Sequence, residues 1–416
     1  MKVYKFGGAS VKDAEAVKNV AKIINSQSGN MVVVVSAMGK ITNLLETLVK
    51  AYFEKTDKKW EIFRQVKDYH LEITNHLFEN NGTPETVLAQ FTELEIKLKK
   101  MPSFEFNYEY DQIICFGELI SAQIVSDYLN YSGIVNQWID VRNCLRTDEM
   151  YRDANVDWGL TEELANEIFD FEKQRLYITQ GFIGSTNTNQ TTTLGREGSD
   201  FTAAILGNVL NTESVYIWKD VPGVLSADPK KMAGTVKIAS LSYREAVEMT
   251  HSGAQVIHPK TMKPLHNKKI PLYVKSFLEP EEPGTVIHAI DHKIELPPIF
   301  IMKENQILIT FSPKDFSFIS IDDIDRVLTF LLDNRVKVTL MQQSVIDLNL
   351  VIDAHEVKMD DIFNEFSSFY SIRYNTGLTL ITIRHYTEEV LDWMVKEKDI
   401  YLEQHSRLTA RMLVKQ

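Results

Sequence analysis

Two short apolar runs separated by one amphipathic segment begin the chain, and they constrain the fold more than any other feature. The runs are Val3–Phe6 and Met31–Ser36, and the segment Asp13–Ile24 between them places apolar residues at helical spacing. Strand, helix and strand at this spacing form a βαβ unit, which requires parallel strands. The chain is therefore predicted to begin with an α/β domain built on a mostly parallel sheet between helical layers.

Small residues follow the first run, where the predicted strand ends. The stretch KFGGAS contains Lys5, Gly7, Gly8 and Ser10. Adjacent glycines let the backbone turn sharply and let a ligand come close, and ligands of open α/β sheets bind at the carboxyl ends of strands. With the lysine charge, the stretch predicts an anion site, with phosphate as the first candidate. We expect Lys5 to lie at the mouth of this pocket. A plain strand-to-turn junction is the alternative.

Charge and cysteine content narrow the class of protein. The net charge of −12 argues against a protein that coats nucleic acid or an anionic membrane. Two cysteines, Cys115 and Cys144, exclude a disulfide framework and favour a reducing cytosol. The N-terminus lacks a long apolar region, and the longest aliphatic run is too short to span a bilayer. We expect a cytoplasmic protein without a protein-ligated metal.

Breaks in the hydrophobic pattern divide the chain. Residues 40–130 show helical spacing and predict a helical subdomain, after which strands and helices alternate again. Four prolines between residues 280 and 298 indicate a boundary, so residues 1–290 are predicted to form one domain. Residues 299–416 repeat a strand–helix–strand–strand order, which predicts two small α+β ferredoxin-like modules, the second of them short. The predicted elements of the α/β part are strands Gly133–Ile139, Leu176–Gly181, Ser214–Trp218 and Ile270–Ser276, and helices over 199–210 and 240–250.

A polar stretch rich in hydroxyl groups, residues 181–200, leads into a predicted helix. It ends in Gly198, Ser199 and Asp200, and either of the last two is a credible N-cap. A helix N-terminus after glycine attracts anions, and Arg196 can grip a carboxylate or phosphate with two bonds. The alternative is a flexible polar loop before a well-capped helix.

Other polar residues leave two interpretations open. Glu118 in FGELIS has apolar neighbours, so it needs a partner, which is either a substrate ammonium or a structural salt bridge. Lys219 and Lys230 flank turn signals and either contact phosphates or belong to a plain loop. His258 precedes Pro259 and is interpreted as structural, because no third ligand stands at metal spacing.

Taken together, these stretches resemble the aspartate kinases of the amino-acid kinase family, which carry C-terminal ACT domains. The matching segments occur in the family's order and cover most of residues 1–290: KFGGAS, VVVVSAMGKITNLL, FGELIS, GFIG, TTTLGREGSD, IWKDVPGVLSADPKK and GAQVIHPKT. The resemblance implies the amino-acid kinase fold followed by ACT modules. It also implies transfer of phosphate from ATP, with Mg²⁺, to the β-carboxylate of L-aspartate, the first step of lysine, threonine and methionine biosynthesis.

The resemblance also implies a role for each matching residue. Lys5 would neutralise the transferring phosphoryl group, and Asp200 would organise that lysine. The implied aspartate-binding residues are Thr42, Glu118, Arg196 and Ser199. The implied ATP-binding residues are Gly7, Gly8, Ser10, Lys219, Asp220 and Lys230. A carboxylate acceptor is already a nucleophile, so positioning and charge neutralisation suffice, and Mg²⁺ would be bound mostly by phosphate and water.

Several positions depart from the family pattern. Ala9 replaces a threonine, Glu197 replaces the first glycine of an Arg-Gly-Gly-Ser-Asp run, and Gln255 replaces a lysine that often contacts nucleotide. These changes bear on nucleotide affinity and loop geometry more than on the reaction.

The C-terminal modules imply regulation. Paired ACT domains bind lysine or threonine and join two subunits, so an effector and a homodimer are expected. Thr339, however, stands where lysine-sensitive members carry an acidic residue, and the usual glycine turn is absent from FSFISIDD. No fused dehydrogenase is expected. Two alternatives remain: a kinase of the same fold for glutamate, carbamate or a nucleotide monophosphate, and a degenerate kinase that only senses amino acids.

Overall fold

The computed structural model describes residues 1–254, 257–292, 294–354 and 358–415. The chain divides into two compact units. Unit 1 comprises Met1–Val224, Lys237–Val247 and Gln255–His292. Unit 2 comprises Leu225–Val236, Glu248–Ala254 and Lys293–Gln416.

The described residues form thirteen α-helices and sixteen strands. The helices are α1 (Ala14–Asn25), α2 (Ile41–Phe53), α3 (Lys58–Phe78), α4 (Glu85–Lys99), α5 (Phe106–Ile114), α6 (Phe116–Tyr131), α7 (Trp158–Ile168), α8 (Gly198–Val209), α9 (Tyr243–His251), α10 (Pro259–Asn267), α11 (Ile321–Asp333), α12 (Met359–Phe366) and α13 (Glu388–Val395). The strands are β1 (Lys2–Phe6), β2 (Met31–Val35), β3 (Gln137–Ile139), β4 (Leu176–Gln180), β5 (Ile183–Ser185), β6 (Thr191–Thr193), β7 (Ser214–Lys219), β8 (Ser240–Ser242), β9 (Leu272–Ser276), β10 (Thr285–His288), β11 (Ile299–Pro313), β12 (Val338–Gln343), β13 (Leu348–Asp353), β14 (Tyr370–Arg384), β15 (Asp399–His405) and β16 (Thr409–Lys415). None of these helices is long and apolar enough to cross a membrane.

Unit 1 is built on an eight-stranded sheet in the order β3-β4-β2-β1-β7-β9-β10-β8 among the described residues. All neighbouring strands from β3 to β9 pair in parallel, and β10 runs antiparallel to β9. Every residue of β2, MVVVV, is buried, as expected for a strand covered by helices on both faces. Because β1, β2, β4 and β7 are parallel, their carboxyl ends meet at one edge of the sheet.

Two predicted elements of this unit were wrong in extent. The strand predicted at Gly133–Ile139 is formed only by Gln137–Ile139, because Gly133 has φ = 83° in the turn that follows α6. The helix predicted over 240–250 begins at Tyr243, because Ser240–Ser242 pairs with β10 as a strand. Strand pairing across the sheet overrides local helical periodicity here.

The described part of unit 2 forms a six-stranded antiparallel sheet in the order β12-β13-β11-β14-β16-β15. Strands β11 and β14 are each 15 residues long and pair with each other from Ile299↔Arg384 to Pro313↔Tyr370. The pairing is irregular between Lys303 and Leu308, where Asn305 has φ = 57°. Each of these two long strands therefore contributes one part to each of the two ferredoxin-like modules. The second module takes one of its strands from the beginning of β11.

Candidate active site

The loops after β1 and β2 lie against each other at the carboxyl edge of the sheet. The N–H of Gly39 donates to the carbonyl of Gly8 at 3.0 Å. A Cβ atom on Gly8 would stand 2.7 Å from the carbonyl oxygen of Ala37, so only glycine allows this approach. A Cβ atom on Gly7 would lie 3.3 Å from the Lys5 ammonium. The two glycines therefore form a narrow backbone wall directly beside a lysine.

Lys5 forms a buried charge cluster with α8 and β7. Its Nζ lies 2.6 Å from Oδ1 of Asp200, and Nζ of Lys219 lies 3.7 Å from Oδ2 of the same carboxylate. Burial acts to raise the pKa of Asp200, but the charges of Lys5 and Lys219 overcome it and hold that pKa below its ordinary value. Two cations share one anion, so the cluster carries a net positive charge and suits an anionic ligand.

The structure corrects two expectations about this cluster. Lys5 does not lie at the mouth of a pocket, because only 9% of its surface is exposed to solvent. Neither Ser199 nor Asp200 is the N-cap of α8, since the helix begins at Gly198 and Glu197 occupies the cap position without a side-chain cap bond. The carboxylate of Asp200 instead lies against the ammonium groups of Lys5 and Lys219.

Glu118 is buried in the first turn of α6 beside the same loops. One carboxylate oxygen accepts a hydrogen bond from the N–H of Ala37 at 3.3 Å, and the other has no hydrogen-bond partner among the described residues. Burial raises the pKa of Glu118 to about 8, although the Ala37 amide and the Lys5 charge act against this rise. No described residue forms an ion pair with Glu118, which leaves its free oxygen suited to a ligand cation.

The other residues predicted for the site lie around this edge. Ser199 approaches Gly181 at the end of β4 so closely that a Cβ atom there would lie 2.4 Å from the Ser199 Cβ. The hydroxyl of Ser10 is buried with no partner among the described residues. Thr42 is half-buried in the first turn of α2, and Arg196 is exposed in the loop before α8.

The structure does not bring every predicted residue into the cluster. Asp220 directly follows β7 but is exposed. Lys230 is exposed and belongs to unit 2, where its N–H donates to Asp228. Gln255 lies outside the described residues. The residues that distances and close approaches join are Lys5, Gly7, Gly8, Glu118, Ser199, Asp200 and Lys219.

Sequence analysis missed Asp111, a fully buried carboxylate of α5. Its oxygens accept hydrogen bonds from the N–H and hydroxyl of Thr193, at 2.9 and 2.8 Å, and from the N–H of Arg152 at 3.0 Å. Burial raises the pKa of Asp111 to about 6 against these bonds. Asp111 thus holds the end of β6, where the loop to α8 begins. The available signal was an acidic residue inside an otherwise apolar helix face, seven positions before Glu118.

Comparison with known proteins agrees with this geometry. The amino acid kinase family matches residues 1–276. The lysine-sensitive aspartokinase 3 of Escherichia coli is 30% identical over 392 residues, which cover 92% of this chain and 86% of that protein. A chloroplastic bifunctional aspartokinase/homoserine dehydrogenase 2 of Arabidopsis thaliana is 34% identical, and the match covers 68% of this chain and 32% of the plant protein.

Solved aspartokinase structures match this chain over its whole length. Aspartokinase III of E. coli, in complex with lysine and aspartate in its T-state, matches with a TM-score of 0.83 at 28% identity, covering 100% of this chain and 96% of that one. The same enzyme with aspartate and ADP in its R-state gives 0.82 at 27% identity, with the same coverage. The predicted fold class is confirmed. The chain belongs to the amino acid kinase family and, within it, to the aspartokinases.

Proposed function

We propose that this chain transfers the γ-phosphoryl group of ATP to the β-carboxylate of L-aspartate, giving 4-phospho-L-aspartate and ADP. This reaction is the first step in the synthesis of lysine, threonine and methionine. The observation that carries the proposal is the buried cluster of Lys5, Asp200 and Lys219 beside the carboxyl group of Glu118, one oxygen of which has no hydrogen-bond partner among the described residues. Support also comes from the E. coli relative, which was crystallised with aspartate and ADP.

The cluster suits phosphoryl transfer by charge neutralisation. A bond forms between a β-carboxylate oxygen and the γ-phosphorus, and the bond to the β,γ-bridging oxygen breaks, so that ADP leaves with the electron pair. Lys5 is proposed to neutralise charge on the transferring group, and Asp200 to fix its ammonium. Gly7, Gly8 and Ser10 would line the phosphate path, and Lys219 and Asp220 would serve the nucleotide. A role of Lys230 in nucleotide binding stays a separate prediction.

The acceptor side of the site is proposed to recognise the α-ammonium and the α-carboxylate of L-aspartate. The free carboxylate oxygen of Glu118 would bind the α-ammonium, and Arg196 would bind the α-carboxylate with two hydrogen bonds. Thr42 and Ser199 would supply hydroxyl contacts. The fixed span between an ammonium site and the Lys5 cluster would then favour aspartate over the longer glutamate.

Mg²⁺ is proposed to enter as part of the MgATP substrate. The nearby carboxylate, Asp200, already has both oxygens directed to lysines, and the described residues contain no group of three or more histidine, cysteine or acidic side chains placed to hold a metal. The donor set therefore fits phosphate oxygens better than a metal ion. The ion's contribution would be to neutralise negative charge on the triphosphate.

A trapping assay tests the function directly. The protein is incubated with MgATP, hydroxylamine and either L-aspartate, L-glutamate or no acceptor, and both ADP and hydroxamate are measured. We expect aspartate-dependent ADP with an equal amount of hydroxamate. Preferred turnover of glutamate would establish the alternative substrate. Binding of aspartate without turnover of any acceptor would instead support an amino-acid sensor.

Aspartate binding is expected to release a proton near pH 7 because of Glu118. Its raised pKa keeps the free protein protonated at this position, whereas the bound ammonium favours the carboxylate. Since the folded pKa lies above the unfolded one, this group's contribution to stability falls as pH rises from about 4 to 8. Calorimetry of aspartate binding in buffers of different ionisation enthalpy measures the number of protons released on binding. Equal binding heats in all buffers would contradict the prediction. The Glu118→Gln variant is expected to release no proton when it binds aspartate.

Unit 2 is proposed to bind a regulatory amino acid, with lysine as the first candidate and threonine as the second. The E. coli relative was crystallised with lysine. In this chain the hydroxyl of Thr339 accepts a hydrogen bond from the Lys303 ammonium at 3.0 Å, and that ammonium also pairs with Asp353 at 2.7 Å. Adding either amino acid to the trapping assay tests the proposal, and turnover that is unchanged by both would contradict it.

A homodimer is proposed through the apolar surface near the start of α11. Phe316, Phe318 and Ile321 are 81%, 74% and 83% exposed, and exposed apolar side chains this close together in the chain are typical of an interaction surface. We expect light scattering to give the mass of two 47.8 kDa chains, and Phe318→Glu with Ile321→Glu to shift the protein toward one. A single-chain mass for the unmodified protein at micromolar concentration would contradict the proposal.

A further inference from the structure

Glu197 stands in a backbone conformation that favours glycine. Its φ and ψ are 55° and 30°, in the left-handed region where a side chain is strained. It occupies the cap position of α8, directly after Arg196 and two residues before Ser199. A glutamate at such a position needs a compensating interaction, because glycine would adopt the same backbone at no steric cost.

The compensating interaction is a hydrogen bond to the start of α10. Oε2 of Glu197 accepts a hydrogen bond from the N–H of His258 at 2.8 Å. His258 is the N-cap residue of α10, and its Nδ1 accepts from the N–H of Lys260. The negative charge of Glu197 therefore faces the positive end of the α10 dipole, where it is stabilised.

Helix α10 is a firm anchor because it packs against α8 itself. The side-chain amide of Asn208 in α8 donates to the carbonyl of Pro264 in α10 at 2.8 Å. A Cβ atom on Gly207 would lie 3.3 Å from Leu265, so the two helices are in close contact. The bond from Glu197 to His258 thus closes a ring formed by α8, the preceding loop and α10.

On the other side of the same loop, Gly195 lies against Asp153. Lys260 forms an ion pair with Asp153, and Oδ1 of Asp153 lies 2.5 Å from where a Cβ on Gly195 would stand. Arg196 lies between this close approach and the hydrogen-bonded Glu197. No described residue pairs with its guanidinium, and the Glu197 carboxylate is held by the His258 amide instead. An untethered carboxylate next to Arg196 would compete with an acceptor carboxylate for the guanidinium.

We propose that Glu197 is a positioning residue that fixes the loop bearing Arg196 by tethering it to the N-terminus of α10. The inference deepens the proposed function, on which it rests, because Arg196 is there assigned to the acceptor α-carboxylate. The tether keeps Arg196 in place and keeps the Glu197 charge away from it. Its loss affects binding of the acceptor and leaves phosphoryl transfer and nucleotide binding largely unchanged.

Steady-state kinetics of four variants test this role. Glu197→Ala removes the tether and keeps the strain, Glu197→Gly removes both, and Glu197→Gln keeps an oxygen that can accept from His258. We expect KM for aspartate to rise about 10-fold in the alanine and glycine variants, with kcat within about threefold and KM for ATP unchanged. The glutamine variant is expected to restore most of the affinity. Glu163→Ala, which removes an exposed carboxylate of α7, is the matched control.

Amide hydrogen exchange separates this inference from the proposed function. Exchange of residues 194–198 is expected to rise in Glu197→Ala relative to the unmodified protein and the Glu163→Ala control, whatever the acceptor is. Unchanged exchange, or an unchanged KM for aspartate in a protein that turns over aspartate, would overturn the tether. Absence of aspartate turnover in the unmodified protein, together with faster exchange in the variant, would reject the proposed function and keep the tether.

Discussion

Replacing Lys5 with alanine is expected to reduce aspartate-dependent ADP formation at least about 10³-fold, the scale seen when a cation that stabilises a transferring phosphoryl group is removed. The physical reason is that the Lys5 ammonium lies at the carboxyl end of β1 beside Gly7, already oriented by Asp200 at 2.6 Å. Aspartate affinity should change much less than kcat, because the proposed acceptor contacts lie elsewhere. Initial rates and binding calorimetry measure the two effects separately.

Stability must be measured alongside, because Lys5 is buried. Its removal leaves Asp200 with Lys219 alone, at 3.7 Å, and breaking a buried ion pair costs roughly 3–5 kcal/mol. Part of that cost is offset by Lys219, so we expect unfolding free energy to fall by about 2–3 kcal/mol. Lys263→Ala, an exposed lysine of α10, is the control, and Lys5→Arg tests geometry with charge kept. Turnover by Lys5→Ala at the unmodified rate would contradict the mechanism.

Asp200→Asn is expected to cause the largest loss of stability. The change leaves Lys5 and Lys219 close together without their shared counter-charge, in a site that is largely closed to water. The expected loss is roughly 3–5 kcal/mol, together with a fall in kcat of about 10²-fold or more, since Lys5 loses its orientation. Denaturant unfolding and initial rates at a temperature where the variant is folded measure both.

The pH dependence of the Asp200 effect has a defined sign. The folded pKa of Asp200 lies below its ordinary value, so its stabilisation is present above the unfolded pKa of about 4 and is lost as pH falls through the folded pKa. The difference in stability between the unmodified protein and Asp200→Asn should therefore shrink below about pH 4. Asp392→Asn, an exposed position on α13, should show no such trend. Equal stability of Asp200→Asn and the unmodified protein at pH 7 would contradict the buried cluster.

Local sequence patterns predicted much of unit 1. The turn at the glycines after Phe6 and the parallel pairing of β1 with β2 could be predicted by short-range rules. A βαβ unit needs only neighbouring segments and a right-handed crossover. The ends of β1, β2, β4 and β7 then meet at one edge by topology alone. For this reason Lys5, Gly7 and Gly8 could be placed at that edge. The pairing of Lys5 with Asp200, 195 positions later in the chain, was implied by the family resemblance.

In unit 2, these short-range rules could not predict the pairing of strands that are far apart in the sequence. The sequence indicated a repeated strand–helix–strand–strand order over residues 299–416, but it did not indicate that β11 and β14 each extend to 15 residues. The added halves, such as Ile299–Lys303, are strands because they pair with each other across the sheet, and no local periodicity reports a partner about 80 residues away. The irregularity at Asn305 lets one strand serve two modules.

By itself, the sequence determined the fold class, the family and the edge of the sheet where chemistry is placed, because strand ends, glycines and charged residues are specified locally. Only the tertiary structure decided how those residues are used. It buried Lys5, turned Asp200 from a helix cap into a partner for two lysines, left an oxygen of Glu118 without a partner among the described residues, and joined Glu197 to His258. Burial and partner choice depend on segments far apart in the chain, whose packing sets the desolvation and the charges that each side chain meets.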